Sequence, residues 1–372
     1  MDFRDDPSTK AFRDEVRAVI AAHLTPEVHD RVTRTGTHHD WALHRALAAR
    51  GWVAAALPEE LGGQGRSADE LAALFRELEL SGSPYDGMAN TMMIAFILGH
   101  AGTRWQKEHV LAPLLAGEAI PCLGYSEPES GSDVAAAATS AVRDGDGWVI
   151  TGQKMFTSLA EEATWAFLLT RTNADVPKHR GLTFFLVRLD DPNIEIQPVR
   201  TLSGKRTNIT FYDGVRVGDE WRVGEVDGGW QVMLVALAFE RGVAGGVSDI
   251  TALYDAAVEE LAASTDPSVR TRLARVAIDK EVADLLGMRA AWAATSGIPQ
   301  QEGAEAKLFG TEAYGRAAAA LLDALGPEGL RIGGVLKHAY RYAPILTTAG
   351  GTSEIQKNLI AERTLGLPRA PR

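Results

Sequence analysis

Between about residue 119 and residue 226 the chain carries short β-rich runs separated by turn clusters, and on both sides of this stretch the apolar residues take helical spacing. That order leaves few architectures open. Trp148-Val149-Ile150-Thr151, Ala166-Phe167-Leu168-Leu169-Thr170, Leu182-Thr183-Phe184-Phe185-Leu186-Val187 and Ile194-Glu195-Ile196 read as strands, and Asp144-Gly145-Asp146-Gly147 as a turn between strands. No helical pattern intervenes, so the runs predict a small antiparallel barrel or sandwich.

Residues 8 to about 117 read as helices. Phe12, Val16, Val19 and Ile20 keep helical spacing, as do Leu71, Leu74, Phe75 and Leu78, and Pro58, Gly62, Gly63 and Gly65 punctuate the loop between them. Met88 to His100 is apolar nearly all round, the pattern of a helix inside a bundle. After Asp227-Gly228-Gly229 helical texture returns, with candidate helices over 229–263, 267–295, 303–325 and 353–365; Asp266 is placed to cap a helix whose first position is Pro267. The expected fold is therefore α+β, with an N-terminal α-helical domain (1–118), a middle antiparallel β-barrel or sandwich domain (119–227) and a C-terminal antiparallel four-helix bundle (228–372).

A net charge of −11 over 372 residues argues against nucleic acid and anionic membrane surfaces as main partners. The single cysteine, Cys122, excludes an intrachain disulfide framework and a multi-cysteine metal site, and no spacing among the nine histidines marks a metal centre. The charged start Met1-Asp2-Phe3-Arg4-Asp5-Asp6 has no apolar h-region, and the longest apolar runs, such as Ala317 to Leu322, are too short to span a membrane, so a reducing cytoplasm is the expected location.

No G-x-G-x-x-G, G-x-x-x-x-G-K-[ST], G-x-S-x-G or H-E-x-x-H pattern occurs. What remains is a set of short polar loops. Tyr125-Ser126-Glu127-Pro128-Glu129-Ser130-Gly131-Ser132-Asp133 could cradle a phosphate or a flat polar ring, or be a turn with helix-cap chemistry. Gln153-Lys154-Met155-Phe156-Thr157-Ser158 sets an aromatic between hydroxyls after a strand, and Gly350-Gly351-Thr352-Ser353-Glu354 is a glycine turn into a helix. Further upstream, Trp230, Met233, Leu234 and Leu237 form an apolar stripe whose continuation lands on Glu240 and Arg241. Either Glu240 enters the core with a raised pKa, poised for proton transfer, or the stripe ends at Leu237 and both charges face water.

The order of these segments is more specific than any one of them. Tyr125-Ser126-Glu127-Pro128 with Gly131-Ser132-Asp133, then Gly147 to Ser158, then Gly351-Thr352-Ser353-Glu354-Ile355-Gln356, and the closing Ala361 to Arg369, strongly resemble the acyl-CoA dehydrogenase family over nearly the whole chain. The resemblance implies an FAD flavoprotein that oxidises an acyl-CoA thioester to its trans-2-enoyl form. A carboxylate takes the α-proton, hydride passes to flavin N5, and the electrons leave to an electron-transferring flavoprotein. It places Tyr125 and Ser126 along the flavin ring, Gly131 and Ser132 on the flavin and CoA side of their loop, and Phe156 against the flavin. Thr157 and Ser158 would bond the cofactor, and Gly351, Thr352 and Glu354 would contact it from the last helix.

Many members carry the base in an E-G-T loop, where this chain has Gly350; others carry it on the helix that opens the C-terminal bundle, just before an arginine, and that position is Glu240. The resemblance thus implies Glu240 as base, Arg241 as a support for the loop or cofactor region, and Gly350 as a backbone N–H donor to the thioester carbonyl, with added room for a bulky acyl group. The family's arginine-plus-phenylalanine-glycine segment is absent between Val247 and Thr271, leaving Arg270 or Arg272 as substitutes in contacts to a neighbouring subunit's FAD. The glycine-rich segment near 326 is reduced to Leu325-Gly326-Pro327-Glu328-Gly329. These features, with Lys178-His179-Arg180-Gly181, are similar to actinobacterial members that act on sterol side chains, some of which are heterotetramers. A homo- or hetero-tetramer is expected. Two alternatives stand beside an autonomous enzyme: a subunit that only completes a partner's flavin site, and a flavin oxidase or monooxygenase on the same fold.

Overall fold

The computed structural model describes residues 7–239, 250–295, 302–331 and 334–369. In chain order the helices before the sheet are α1 (Pro7–His23), α2 (Pro26–Thr35), α3 (Trp41–Ala48), α4 (Ala68–Leu80), α5 (Asp86–Ala101), α6 (Arg104–Gln106) and α7 (Ala112–Leu115), the last two joined by a π turn. The strands are β1 (Pro121–Gly124), β2 (Ser140–Asp144), β3 (Gly147–Lys154), β4 (Trp165–Arg171), β5 (Leu182–Arg188), β6 (Ile194–Arg200), β7 (Arg206–Gly218) and β8 (Arg222–Val223). Helices α8 (Gly229–Phe239), α9 (Ile250–Glu260), α10 (Pro267–Thr295), α11 (Glu302–Ala324), α12 (Val335–Leu346) and α13 (Ser353–Leu359) follow. The backbone forms two compact units, one of residues 18–66 and 84–239, the other of residues up to 17, 67–83 and 240 onward.

The first unit is built on one sheet in the order β6-β7-β3-β2-β4-β5-β8, with β1 added beside β4. The expected runs appear as β3, β4, β5 and β6, with β2 and β3 joined at the expected turn and β4–β5 antiparallel; β7, antiparallel to both β3 and β6, and the parallel pairings β1–β4 and β2–β4 are additions to that expectation. β4 and β5 are buried on both faces, which is why their sequences are nearly continuous apolar runs rather than alternating ones. Trp148, Ile150, Leu168, Phe185, Val187, Tyr212 and Val215 form the core on one side. Ile120, Cys122, Leu159 and Ala166 form another, and there burial pushes the Cys122 thiol far above its ordinary pKa.

The buried face of α8 is Val232, Met233, Ala236 and Phe239, while Leu234 is 46% exposed. It is therefore rotated from the stripe expected through Leu234, because α8 meets both α5 and β5 and is apolar nearly all round. Phe239 packs on Phe96 of α5, ring centroids 5.4 Å apart. Glu240 and Arg241 lie outside the described residues.

Two histidines of this unit are buried without hydrogen-bond partners on either ring nitrogen, His39 and His44, their rings 5.3 Å apart. Gly87 makes the packing possible, since a Cβ there would come within 2.4 Å of His39 Nδ1. Burial pushes His39 down to about 3, with neighbouring His44 adding to the effect and Asp40 and Asp86 opposing it; burial likewise pushes His44 down to about 4. Both fold as neutral rings, whereas the unfolded chain protonates them near pH 6.5. Stability is thus fully present above about pH 6.5 and is lost as the pH falls below it, by about 2 kcal/mol per histidine at pH 5. Urea unfolding at pH 7 and pH 5 checks this, and His39→Leu with His44→Leu flattens the difference.

In the second unit, α9, α10, α11 and α12 pack Ile250, Leu253, Val269, Val276, Ala313, Ala317, Leu321, Leu336 and Ala339 into one core; the part is helical as expected, but α12 takes the place in this core that the expectation gave to residues 353–365. α10 begins as its sequence predicts, with Asp266 accepting from the Ser268 N–H at 2.8 Å and Pro267 at the first position. α12 was not among the expected helices: it follows a glycine and carries Pro344 in its last turn, signals that read as a loop although Leu336, Ala339 and Ala343 form a buried stripe. From α4, Glu77 is buried and accepts from Arg17 of α1 at 2.7 and 3.1 Å.

Candidate active site

In the first unit two strand ends bring the predicted loops together. β1 stops at Gly124, where a Cβ would meet Leu168 Cδ1 at 2.7 Å, and the chain leaves the sheet as Tyr125-Ser126. β3 stops at Lys154, and the N–H of the next residue, Met155, donates to the Ser126 carbonyl at 2.9 Å. Lys154 is fully buried; its Nζ donates to Glu127 Oε1 at 2.7 Å and to the Tyr125 carbonyl at 3.2 Å. The same carboxylate accepts the N–H groups of Ala138 and Thr139 at 2.7 and 2.9 Å. Burial alone would push Glu127 up, but the Lys154 ammonium and the backbone amides outweigh it and hold the carboxyl below its ordinary range. Burial pushes Lys154 down to about 8 against the pull of Glu127, so the pair is charged at neutral pH.

Phe156 follows with φ +59° and stands 62% exposed. A left-handed non-glycine residue costs on the order of 1–2 kcal/mol, comparable to one or two net hydrogen bonds. The bonds on either side outweigh that cost. The Thr157 N–H donates to the Asn208 carbonyl, and Asn208 Nδ2 donates back to the Thr157 carbonyl, both at 2.9 Å. Asn208 Nδ2 also reaches Glu161 Oε2 at 2.7 Å. The result is an aromatic ring presented outward from a rigid strand end. Thr157 turns inward, its Oγ1 3.5 Å from that of Thr210, while Ser158 turns outward and donates to Thr207 Oγ1 at 3.1 Å. Tyr125 is half-buried and packs edge-on to Phe167 and Phe184, centroids 6.2 and 5.6 Å away. Gly131 and Ser132 are exposed. The chain beyond them is anchored by Arg171, which donates to the carbonyls of Ala135, Ala137 and Lys178 at 2.5, 3.2 and 2.6 Å.

In the second unit the Gly350–Gly351 turn has φ +67° and +95°. Thr352 caps α13 by accepting the Ile355 N–H at 3.3 Å, and Glu354 is exposed. Gln356 is buried; its Nε2 donates to the carbonyls of Gly350 and Gly351 at 3.0 and 3.4 Å, leaving Oε1 without a partner. Lys307 of α11 donates to the Gly351 carbonyl at 2.6 Å. Arg272 lines a cavity of about 540 Å³ with Arg275 and Arg316, and donates to the Ala320 carbonyl at 3.2 Å. No role is expected from the sequence for Glu127, Lys154, Asn208, Lys307 or Gln356. Ion pairs and carbonyl contacts between distant residues have no local pattern.

The models of the N-terminal, middle and C-terminal domains of acyl-CoA dehydrogenases match residues 6–118, 122–212 and 227–365. The chain belongs to the acyl-CoA dehydrogenase family. Among its relatives, acyl-CoA dehydrogenase FadE26 of Mycobacterium tuberculosis is 33% identical over 98% of each chain. IpdE1 of the same organism is 34% identical over 96% of this chain and 97% of its own. The solved Tcur3481-Tcur3483 steroid ACAD superposes with a TM-score of 0.90 at 31% identity, covering all of both chains. The ChsE4-ChsE5 complex from Mycobacterium tuberculosis gives 0.89 at 32%, again over both whole chains.

An acyl-CoA dehydrogenase is an FAD-dependent oxidoreductase, and the residues here fit that cofactor. Phe156 is an exposed aromatic on a rigid support, with the outward hydroxyl of Ser158 two residues on. Among the described residues no helix is long and apolar enough to cross a membrane.

Proposed function

We propose that the chain is a competent acyl-CoA dehydrogenase that converts an acyl-CoA thioester to its trans-2-enoyl form, with Glu240 as the base for the α-proton. The observation that carries this is Gly350: the turn that holds the base in many members has no side chain here, yet its carbonyls are held by Lys307 and Gln356. The N–H of Gly350 is the proposed donor to the thioester oxygen, and the missing side chain leaves room for a bulky acyl group. FAD, when bound, supplies the two-electron acceptor. The residues proposed to hold it, on the likeness to the family, are Tyr125, Ser126, Gly131, Ser132, Phe156, Thr157, Ser158, Gly351, Thr352 and Glu354. Arg241 supports the cofactor region, and an electron-transferring flavoprotein takes the electrons.

Two named relatives are two-chain complexes, and one is described as a steroid ACAD. α10 carries Ile278, Leu285 and Trp292 at seven-residue spacing, 64%, 44% and 44% exposed. Together these support assembly along α10 with a second chain of this fold and a steroid side-chain thioester as substrate. Anaerobic titration with acyl-CoAs, from short and branched to steroid side chain, tests the reading: one thioester bleaches the flavin absorption. A protein that holds FAD only together with a second chain points instead to a subunit that completes a partner's site.

A further inference from the structure

The Gly350–Gly351 turn is held by two side chains with different chemistry. Gln356, on the helix that follows the turn, reaches both carbonyls with a neutral amide. Its position leaves no room at Gly351, where a Cβ would lie 2.8 Å from Gln356 Nε2. Lys307 comes from α11, a helix seated in the bundle through Ala313, Ala317 and Leu321, and brings an ammonium to 2.6 Å from the Gly351 carbonyl. In a planar trans peptide the N–H points opposite to the C=O. Drawing the carbonyls of Gly350 and Gly351 onto Gln356 and Lys307 therefore turns the N–H groups of Gly351 and Thr352 the other way, and with φ fixed at both glycines it sets the direction of the whole turn. A neutral donor such as Gln356 suffices for that geometry. The ammonium adds a positive charge beside the turn, where it acts on any negative charge that develops at the Gly350 N–H, the proposed donor, whose direction follows from the fixed φ and the held carbonyl of Gly350.

We propose that Lys307 is a positioning residue for the dehydrogenation: it fixes the Gly350–Gly351 turn and sets a positive charge beside it, stabilising the negative charge that gathers on the thioester oxygen. The inference rests on the turn facing that oxygen, as in the proposed function. In the step concerned the α C–H bond breaks, the proton passes to the Glu240 carboxylate and the electron pair moves toward the thioester oxygen. No oxidation is needed for this half of the reaction, so it can be followed alone.

A 3-thia-acyl-CoA, with sulfur in place of the β-carbon, undergoes proton removal without oxidation. Exchange of its α-hydrogens in D2O, followed by NMR on the FAD-loaded protein, reads the step directly. Lys307→Met is expected to slow exchange about 10- to 100-fold, with the dissociation constant of the analogue and the FAD content within a few-fold of wild type. Lys307→Arg, which keeps the charge, restores most of the rate. Should Lys307→Met not retain FAD, Lys307→Gln takes its place, since it keeps a donor to the Gly351 carbonyl and removes only the charge. Exchange at the wild-type rate in the neutral variant overturns the proposal. Absence of exchange in the wild type with the 3-thia analogue of every acyl-CoA in the titration series overturns the proposed function instead, so the two failures are distinct.

Discussion

Glu240→Gln lowers the rate at which an acyl-CoA bleaches the flavin by about 10²- to 10⁴-fold, while the thioester still binds within a few-fold of wild type. Glutamine keeps the size of the side chain and its hydrogen-bonding capacity but cannot take up the α-proton. If Glu240 is the base, the loss falls on the chemical step and leaves binding alone. Gly350 sharpens the expectation, because it offers no side chain as a second base. Stopped-flow bleaching at saturating thioester measures the step. A variant that bleaches as fast as wild type removes Glu240 from the mechanism.

Lys154→Met is the second large effect, this time on stability. It removes a fully buried ammonium and leaves Glu127 beneath the sheet edge with only the amides of Ala138 and Thr139. Breaking one partner of a buried pair costs about 3–5 kcal/mol, whereas replacing both by neutral groups of similar size is often close to neutral. The double variant Lys154→Met with Glu127→Gln therefore recovers much of the loss. The single variant also regains stability as the pH falls, because Glu127, freed from its cation, takes up a proton more readily. Urea midpoints of the single and double variants across pH decide the matter. Equal midpoints for Lys154→Met and wild type show that the pair is dispensable.

Much of the architecture was legible because the sequence marks its own boundaries. Asp266 and Pro267 announce the start of α10, Gly145 and Gly147 mark the turn of the β2–β3 hairpin, and the paired apolar runs of β4 and β5 stand between turns. α12 was hidden because Gly334 before it and Pro344 in its last turn, each a loop signal, mark a helix that packing on α9 and α11 stabilises. The buried face of α8 departs from the expected stripe for a related reason: where nearly every residue is apolar, the neighbours select the inward side, and here that side carries Val232 rather than Leu234. At the candidate site, exposed Phe156 and the Gly350–Gly351 turn are visible as residue types, but the groups that fix them are not. Lys154 stands 27 residues from Glu127, and Lys307 stands 44 from Gly351. Nothing in the sequence joins them before the chain folds.

Cys122 gives this chain a built-in reporter. Its thiol is fully enclosed beside β4 and held protonated by burial, so it is a poor nucleophile as long as β1 stays in the sheet. Because the chain has no other cysteine, uptake of a maleimide dye by the unaltered protein counts the moments when that strand detaches. A cysteine placed by design on the surface would be labelled alone, without first stripping the protein of a competing thiol.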